Sequence, residues 1–134
     1  MTLADKLRNR ATRVRLHRWR NRPWHSSEPH IVIGGTPRSG TTLLRRILDR
    51  HPAICCGPES SILLPGALRV GPVAAGFGLS EDELRAMLAA SPSQGAFVDA
   101  FAARYREARG RRRWAEKTPQ NVLAIDWTLE RFPE

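Results

Sequence analysis

Ile31-Val32-Ile33-Gly34-Gly35-Thr36-Pro37-Arg38-Ser39-Gly40-Thr41-Thr42 is the stretch that decides how this 134-residue chain folds. The β-branched run Ile31 to Ile33 reads as a short buried strand. Gly34 and Gly35 then let the backbone leave that strand in conformations costly for other residues, and let it approach a ligand closely. From Thr41 onward, Leu43, Leu44, Ile47 and Leu48 recur on one face, so a helix begins where the loop ends. The free N–H groups and the positive dipole end of that helix face the loop, which suits an anion.

Gly35 and Gly40 flank four residues, the spacing of a phosphate cradle. A loop that grips a nucleoside triphosphate carries Lys and Ser/Thr where this chain has Thr41-Thr42. That lysine is missing, and a basic residue sits inside the loop as Arg38. The combination points to a nucleotide whose phosphate is held without a triphosphate and magnesium arrangement. The fork of Arg38 can bind a phosphate or sulfonate in two places, and Thr41 and Thr42 can add hydroxyl donors beside the helix amides.

Pro37-Arg38-Ser39-Gly40-Thr41-Thr42 resembles the 5′-phosphosulfate loop of the P-loop sulfotransferases. The similarity continues through Leu48-Asp49, His51-Pro52 and Cys56-Gly57-Pro58-Glu59, and these segments together most resemble tyrosylprotein sulfotransferases and their bacterial relatives. Trp114-Ala115-Glu116-Lys117-Thr118-Pro119 is similar to the family's internal lysine motif, so the resemblance spans residues 31 to 134. It implies an α/β fold, a P-loop type parallel sheet flanked by helices. It implies transfer of a sulfuryl group from 3′-phosphoadenosine 5′-phosphosulfate (PAPS), as co-substrate and without a metal, to an acceptor hydroxyl. The nucleotide would be bound by Gly35, Pro37, Arg38, Ser39, Gly40, Thr41 and Thr42, with Arg38, Glu59 and Lys117 as the catalytic set.

Two of those residues have further arguments. The chain contains 20 arginines and two lysines, so a lysine at 117 suggests a need for a compact ammonium rather than a planar fork. By resemblance, Lys117 contacts the bridging oxygen or the sulfuryl oxygens. Glu59 matches the position of the family's catalytic Glu, and a carboxylate takes the acceptor's proton well when partial burial lifts its pKa. The tyrosylprotein pattern has Arg two residues later where this chain has Ser61, which weakens the case for a peptide-tyrosine acceptor and leaves protein tyrosine, carbohydrate, lipid and small-molecule hydroxyls open. Glu116 is a weaker alternative base, since it neighbours Lys117 in sequence and pairing with that lysine would occupy it.

The formal charge is +9, from 22 basic and 13 acidic residues. Residues 1–30 hold eight Lys/Arg and two Asp/Glu, and so most of that excess. Leu3, Leu7, Ala11 and Val14 follow helical spacing there, among Arg8, Arg10, Arg13, Arg15 and Arg18. The bland reading is a solvated basic helix. The sharper one is peripheral contact with an acidic membrane surface, with a nucleic-acid arm disfavoured. No apolar run reaches the length of a membrane span, and no secretory signal is legible. Adjacent Cys55 and Cys56 suit neither a zinc pair nor an ordinary disulfide, and His17, His25, His30 and His51 show no ligand spacing. The expectation is a cytoplasmic protein without a structural metal.

The organisation expected is a basic leader and linker over 1–30 and the N-terminal part of a sulfotransferase domain over 31–134. His51-Pro52 ends the first helix, and Ala53 to Cys56 forms a second strand that delivers Glu59 to a loop. Residues 65–79 read as loop, Ser80-Glu81-Asp82-Glu83 as a capping box, and Gly95 to Ala108 as a helix with Phe97, Phe101 and Tyr105 in its core stripe. Trp114-Ala115 reads as a short strand, and Pro119 to Phe132 as one further helix. A parallel sheet with so few strands leaves apolar faces uncovered, so the chain is expected to be an incomplete, inactive fragment of a larger domain. Two alternatives stand beside this reading: a P-loop nucleotide-binding kinase-like enzyme, and a basic binding module acting through residues 1–30.

Overall fold

Three short strands meet as a parallel sheet in the computed structural model, which describes residues 2–134. Met1 lies outside the described residues, as do the side chains of Asp5, Arg8, Asn9, Ala11, Thr12 and Arg13. The leader's expected helical stripe is therefore described without Arg8, Ala11 and Arg13. Strand β1 is Ile31–Ile33, β2 is Ile54–Cys56 and β3 is Arg113–Lys117. The order across the sheet is β1-β3-β2, with Ile33 opposite Lys117 and Cys56 opposite Ala115. β3 is longer than the sequence suggested and carries Glu116 and Lys117 within the ladder.

The helices are α1 (Leu3–Asn21), α2 (Thr41–Asp49), α3 (Val70–Phe77), α4 (Glu81–Ala90), α5 (Gln94–Arg109) and α6 (Ile125–Arg131), with a 3₁₀ segment at Pro119–Ala124. Strand alternation sorts the core into two layers. Cys55 and Trp114 pack with Phe97, Phe101 and Tyr105 of α5 and with Phe77 of α3. Cys56, Ala115 and Ile33 form a smaller cluster with Leu48 of α2. Phe97, Phe101 and Tyr105 are thus core, as their spacing of four predicted.

Local chemistry sets the helix ends. Ser80 and Glu83 close the capping box of α4, Ser80 Oγ accepting from the Glu83 amide at 3.1 Å and Glu83 Oε2 accepting from the Ser80 amide at 2.7 Å. Ser93 caps α5, which ends on Gly110 in the left-handed conformation at φ 61°.

Three expectations are corrected. Residues 70–77, read as loop, form α3. Pro72 falls in its first turn, where a missing N–H costs nothing. Gly57 answers a packing need against the same helix, since a Cβ there would stand 2.4 Å from the Phe77 ring. The single helix expected over Pro119 to Phe132 is a 3₁₀ turn followed by α6, and Val122, Leu123, Ile125 and Leu129 are exposed, leaving Phe132 buried. The apolar face of α2 is likewise mostly exposed at Leu43, Leu44 and Ile47, because the helix packs on β2 and β3 and only Leu48 joins the cluster beneath it.

Residues 19–30 pack on this core. Trp19 donates its indole N–H to the Ser91 carbonyl at 2.9 Å, and Arg20 donates to the Leu63 carbonyl at 2.8 Å. Asp99 of α5 accepts from Trp24 and Ser26, each at 2.9 Å, and lies 2.7 Å from His30 Nε2. Gly95 leaves room for Trp24, whose ring would stand 2.6 Å from a Cβ at that position. No helix is long and apolar enough to cross a membrane among the described residues.

Candidate functional site

All three strands run the same way, so the loops after Ile33, Cys56 and Lys117 emerge at one edge of the sheet. In open parallel sheets that carboxyl edge is where ligands bind. β3 is central, and Lys117 at its end therefore stands between the loop that follows β1 and the loop that follows β2.

Glu59 comes from the second loop and meets Lys117, with Nζ to Oε1 at 2.5 Å. Their exposures are unequal. The Lys117 side chain is 4% exposed and the Glu59 side chain 50%. The ammonium is thus fixed and shielded, while its carboxylate partner faces solvent.

The loop after β1 is anchored at its root. The Gly35 amide donates to the Pro119 carbonyl at 2.9 Å, and Asn121 Nδ2 donates to the Ile33 carbonyl at 2.9 Å. A Cβ on Gly34 would stand 2.8 Å from the Val122 nitrogen, so the close backbone approach there needs glycine. Beyond the root, Thr36, Pro37, Arg38, Ser39 and Gly40 are exposed, as is Thr42, with Gly35 and Thr41 half-buried. Gly40 caps α2 at φ 91° without a side-chain hydrogen bond, leaving the amides of the first turn open toward the loop. Arg38 is held at φ 64°, and among the described residues its side chain makes no hydrogen bond or ion pair. Ser61 is the other non-glycine residue with positive φ among those described, at 54°. Both sit in loops at the same sheet edge, where backbone strain tends to mark function.

The structure separates Glu116 from Lys117. Successive residues of a strand point to opposite faces, so the two side chains cannot pair. Glu116 is buried and accepts from Ser60, Thr118 and Asn121. Burial raises its carboxyl pKa, and the hydrogen bonds from Asn121, Thr118 and Ser60 work against that rise. The expectation that Glu116 would be occupied by the lysine is corrected, since Glu59 takes that place. The period of two across Trp114-Ala115-Glu116-Lys117 was the available signal.

Ser60, Thr118 and Asn121 escaped sequence reasoning, being ordinary polar residues that acquire meaning only around a buried carboxylate. Arg45 escaped it too. It reaches from α2 to the Cys56 carbonyl at 3.0 Å, at the base of the Glu59 loop. Burial pushes the Cys56 thiol up to about 12, and both cysteines are free. Among the described residues, no group of three or more His, Cys, Asp or Glu is placed to hold a metal ion.

A parallel α/β sheet with a glycine-bounded loop, an internal lysine and a paired glutamate at one edge defines a class, and sequence comparison supplies its family. The family model described as the sulfotransferase family matches residues 29–134, and the chain belongs to that family. Among curated proteins, it is similar to protein-tyrosine sulfotransferase 1 of Rattus norvegicus, 55% identical over 40 residues, which are 30% of this chain and 11% of the relative. Protein-tyrosine sulfotransferase A of Caenorhabditis elegans is 50% identical over 40 residues, 30% of this chain and 10% of the relative. Protein-tyrosine sulfotransferase 2 of Gallus gallus is 60% identical over 35 residues, 26% of this chain and 9% of the relative. The chain matches about a tenth of the length of these relatives.

Proposed function

We propose that this site transfers a sulfuryl group from PAPS to an acceptor hydroxyl. The observation that carries the reading is the Lys117–Glu59 pair, set beside the uncapped start of α2 in a chain of the sulfotransferase family. PAPS would supply the activated sulfuryl group. Its 5′-phosphosulfate fits the cradle made by Gly35, Pro37, Arg38, Ser39, Gly40, Thr41 and Thr42, where open helix amides and an unengaged guanidinium await an anion.

The Glu59 carboxylate receives the acceptor's proton as the acceptor oxygen bonds to sulfur. The bond from sulfur to the phosphate oxygen breaks, and the electron pair leaves with adenosine 3′,5′-bisphosphate. Lys117, paired with Glu59 in the resting site, turns to the developing negative charge on the bridging oxygen. Positioned cations and a positioned base are what such an in-line transfer needs. The acceptor is assigned as a hydroxyl, alcohol or phenol, and Ser61 stands where the tyrosylprotein pattern has Arg. No residue of the 134 is assigned to the 3′-phosphate, so we expect no turnover from this stretch on its own.

The test is transfer of labelled sulfuryl from PAPS to a panel of phenols and alcohols by a full-length version that contains these 134 residues, which is the full chain of every test below. Adenosine 3′,5′-bisphosphate should bind more tightly than ATP with magnesium; the reverse order would favour the kinase-like alternative. Glu59→Gln should keep nucleotide binding and slow turnover by about a hundredfold, a common size for a general base. Surviving turnover there would remove Glu59 from the mechanism.

We also propose that α1 lies against an acidic membrane surface, supported by Leu3, Leu7 and Val14 standing exposed along a helix rich in arginine. Salt-sensitive binding to anionic but not neutral vesicles is the expected result. A cytoplasmic location is proposed with it, on two buried thiols that remain unpaired.

A further inference from the structure

Glu116 is 2% exposed, yet the transfer step gives this carboxylate nothing to do. Its partners come from the segments that follow β2 and β3, and one of them, Asn121, links it to the end of β1. Ser60, the neighbour of Glu59, donates its hydroxyl to Oε1 at 2.8 Å and its amide at 3.4 Å. Thr118, the neighbour of Lys117, donates its hydroxyl to the same oxygen at 2.7 Å. Asn121 donates Nδ2 to Oε2, and the same nitrogen donates to the carbonyl of Ile33, just before the glycine-bounded loop. The two hydroxyls are already oriented. Ser60 Oγ accepts from the Ile62 amide at 3.2 Å and Thr118 Oγ1 from the Ser61 amide at 3.1 Å, so each has its proton free for the carboxylate.

We infer that Glu116 is a positioning residue whose buried carboxylate sets the spacing between the Glu59 loop, the end of the strand bearing Lys117, and the root of the anion-binding loop. The catalytic consequence rests on the sulfuryl transfer proposed above; the structural linkage does not. An ionised carboxylate is suited to this task because it is all acceptor, and every group around it is a donor. Glutamine is not equivalent. Its amide would set N–H groups against either Asn121 Nδ2 or the two hydroxyls.

Stability alone is a poor reason to bury this charge, since apolar residues of similar volume often do as well in such places. Two loops held to one point directly, and a third held through Asn121, is a better reason. Small displacements are expensive for in-line transfer, and a misplacement of about 1 Å can cost about a hundredfold.

The experiment compares Glu116→Ala, Glu116→Gln, Thr118→Val and Thr118→Ser in the full chain. Amide hydrogen exchange is read without any ligand, and turnover is read with PAPS and a phenol. In Glu116→Ala, exchange at Ser61 and Ile62 should rise at least about tenfold while Phe97 of α5 stays protected, a local opening rather than a global one. The kcat should fall about a hundredfold, with adenosine bisphosphate affinity changed far less. Adding Glu116→Ala to Glu59→Gln should cost less than the sum of the two single losses, because part of the Glu116 effect runs through the position of Glu59.

Thr118→Val should reproduce the local exchange at Ser61, and Thr118→Ser should restore protection, which keeps the test decisive if Glu116→Ala does not fold. No local rise, a rise shared equally by α5, or an additive double variant would overturn the inference. A local rise in a protein that transfers no sulfuryl group would uphold the linkage and sink the sulfotransferase reading instead.

Discussion

Replacing Lys117 by methionine separates a catalytic ammonium from a structural one. The side chain is 4% exposed and its partner Glu59 is 50% exposed, 2.5 Å away. Methionine fills most of the lysine stem's volume, so no large cavity opens. The lost ion pair is half in water, and exposed pairs contribute about 0–1 kcal/mol after screening. Burying the ammonium was itself costly, which offsets that loss. Glu59 left alone remains hydrated. The expected change in unfolding free energy is therefore within about 1 kcal/mol, in either direction.

Catalysis should respond differently. A positioned donor aimed at charge that develops in the transition state is worth about 2.7–4 kcal/mol, a loss of roughly 10²–10³ in kcat. Urea unfolding, calorimetry with adenosine 3′,5′-bisphosphate and turnover with saturating PAPS make the comparison in the full chain. Turnover within about tenfold of wild type would refute the catalytic assignment of Lys117. A stability loss of about 3 kcal/mol or more with kcat preserved would show that the pair is a structural clamp.

Three other perturbations probe separate parts of the molecule. Arg38→Ala should weaken adenosine bisphosphate binding by about 2 kcal/mol or more, while leaving unfolding unchanged because the side chain is exposed and unengaged; unchanged affinity by calorimetry would remove it from the cradle. Gly57→Ala should destabilise by about 1–3 kcal/mol, since the new methyl collides with Phe77, and a melt equal to wild type would deny that contact. Asp99 tests a pH dependence. Burial pushes its carboxyl up, and the hydrogen bonds from His30, Trp24 and Ser26 outweigh this and leave it below the ordinary aspartate value. A depressed native value means the contribution is full above the unfolded value of about 3.9 and is lost as pH falls through the native one. Asp99→Asn should therefore cost about 1–2 kcal/mol at pH 7 in urea unfolding, with the gap narrowing as pH falls below the unfolded value and through the native one. A gap that persists in acid would deny the role of the charge.

Residues 31–42 determined the strand, the loop and the start of α2 by themselves, because each feature depends on neighbours within a few positions. β-branching made the strand, paired glycines made the exit, and helical spacing made the rest. The capping box of α4 and the aromatic stripe of α5 were legible for the same reason. Where several weak local signals competed, the sequence misled. Gly71, Pro72 and Gly76 argue against a helix one residue at a time, yet α3 forms because Val73, Ala74 and Phe77 bury against the core. The leucines of α2 and the apolar residues after Pro119 showed a face, but whether that face is covered depends on which elements lie beside it. The site divides in the same way. Glu59 and Lys117 could be named from their motifs, whereas their 2.5 Å meeting needed β3 to lie between β1 and β2. The burial of Glu116 among Ser60, Thr118 and Asn121 was a tertiary decision, since chain separations of up to 56 residues close only when the sheet assembles.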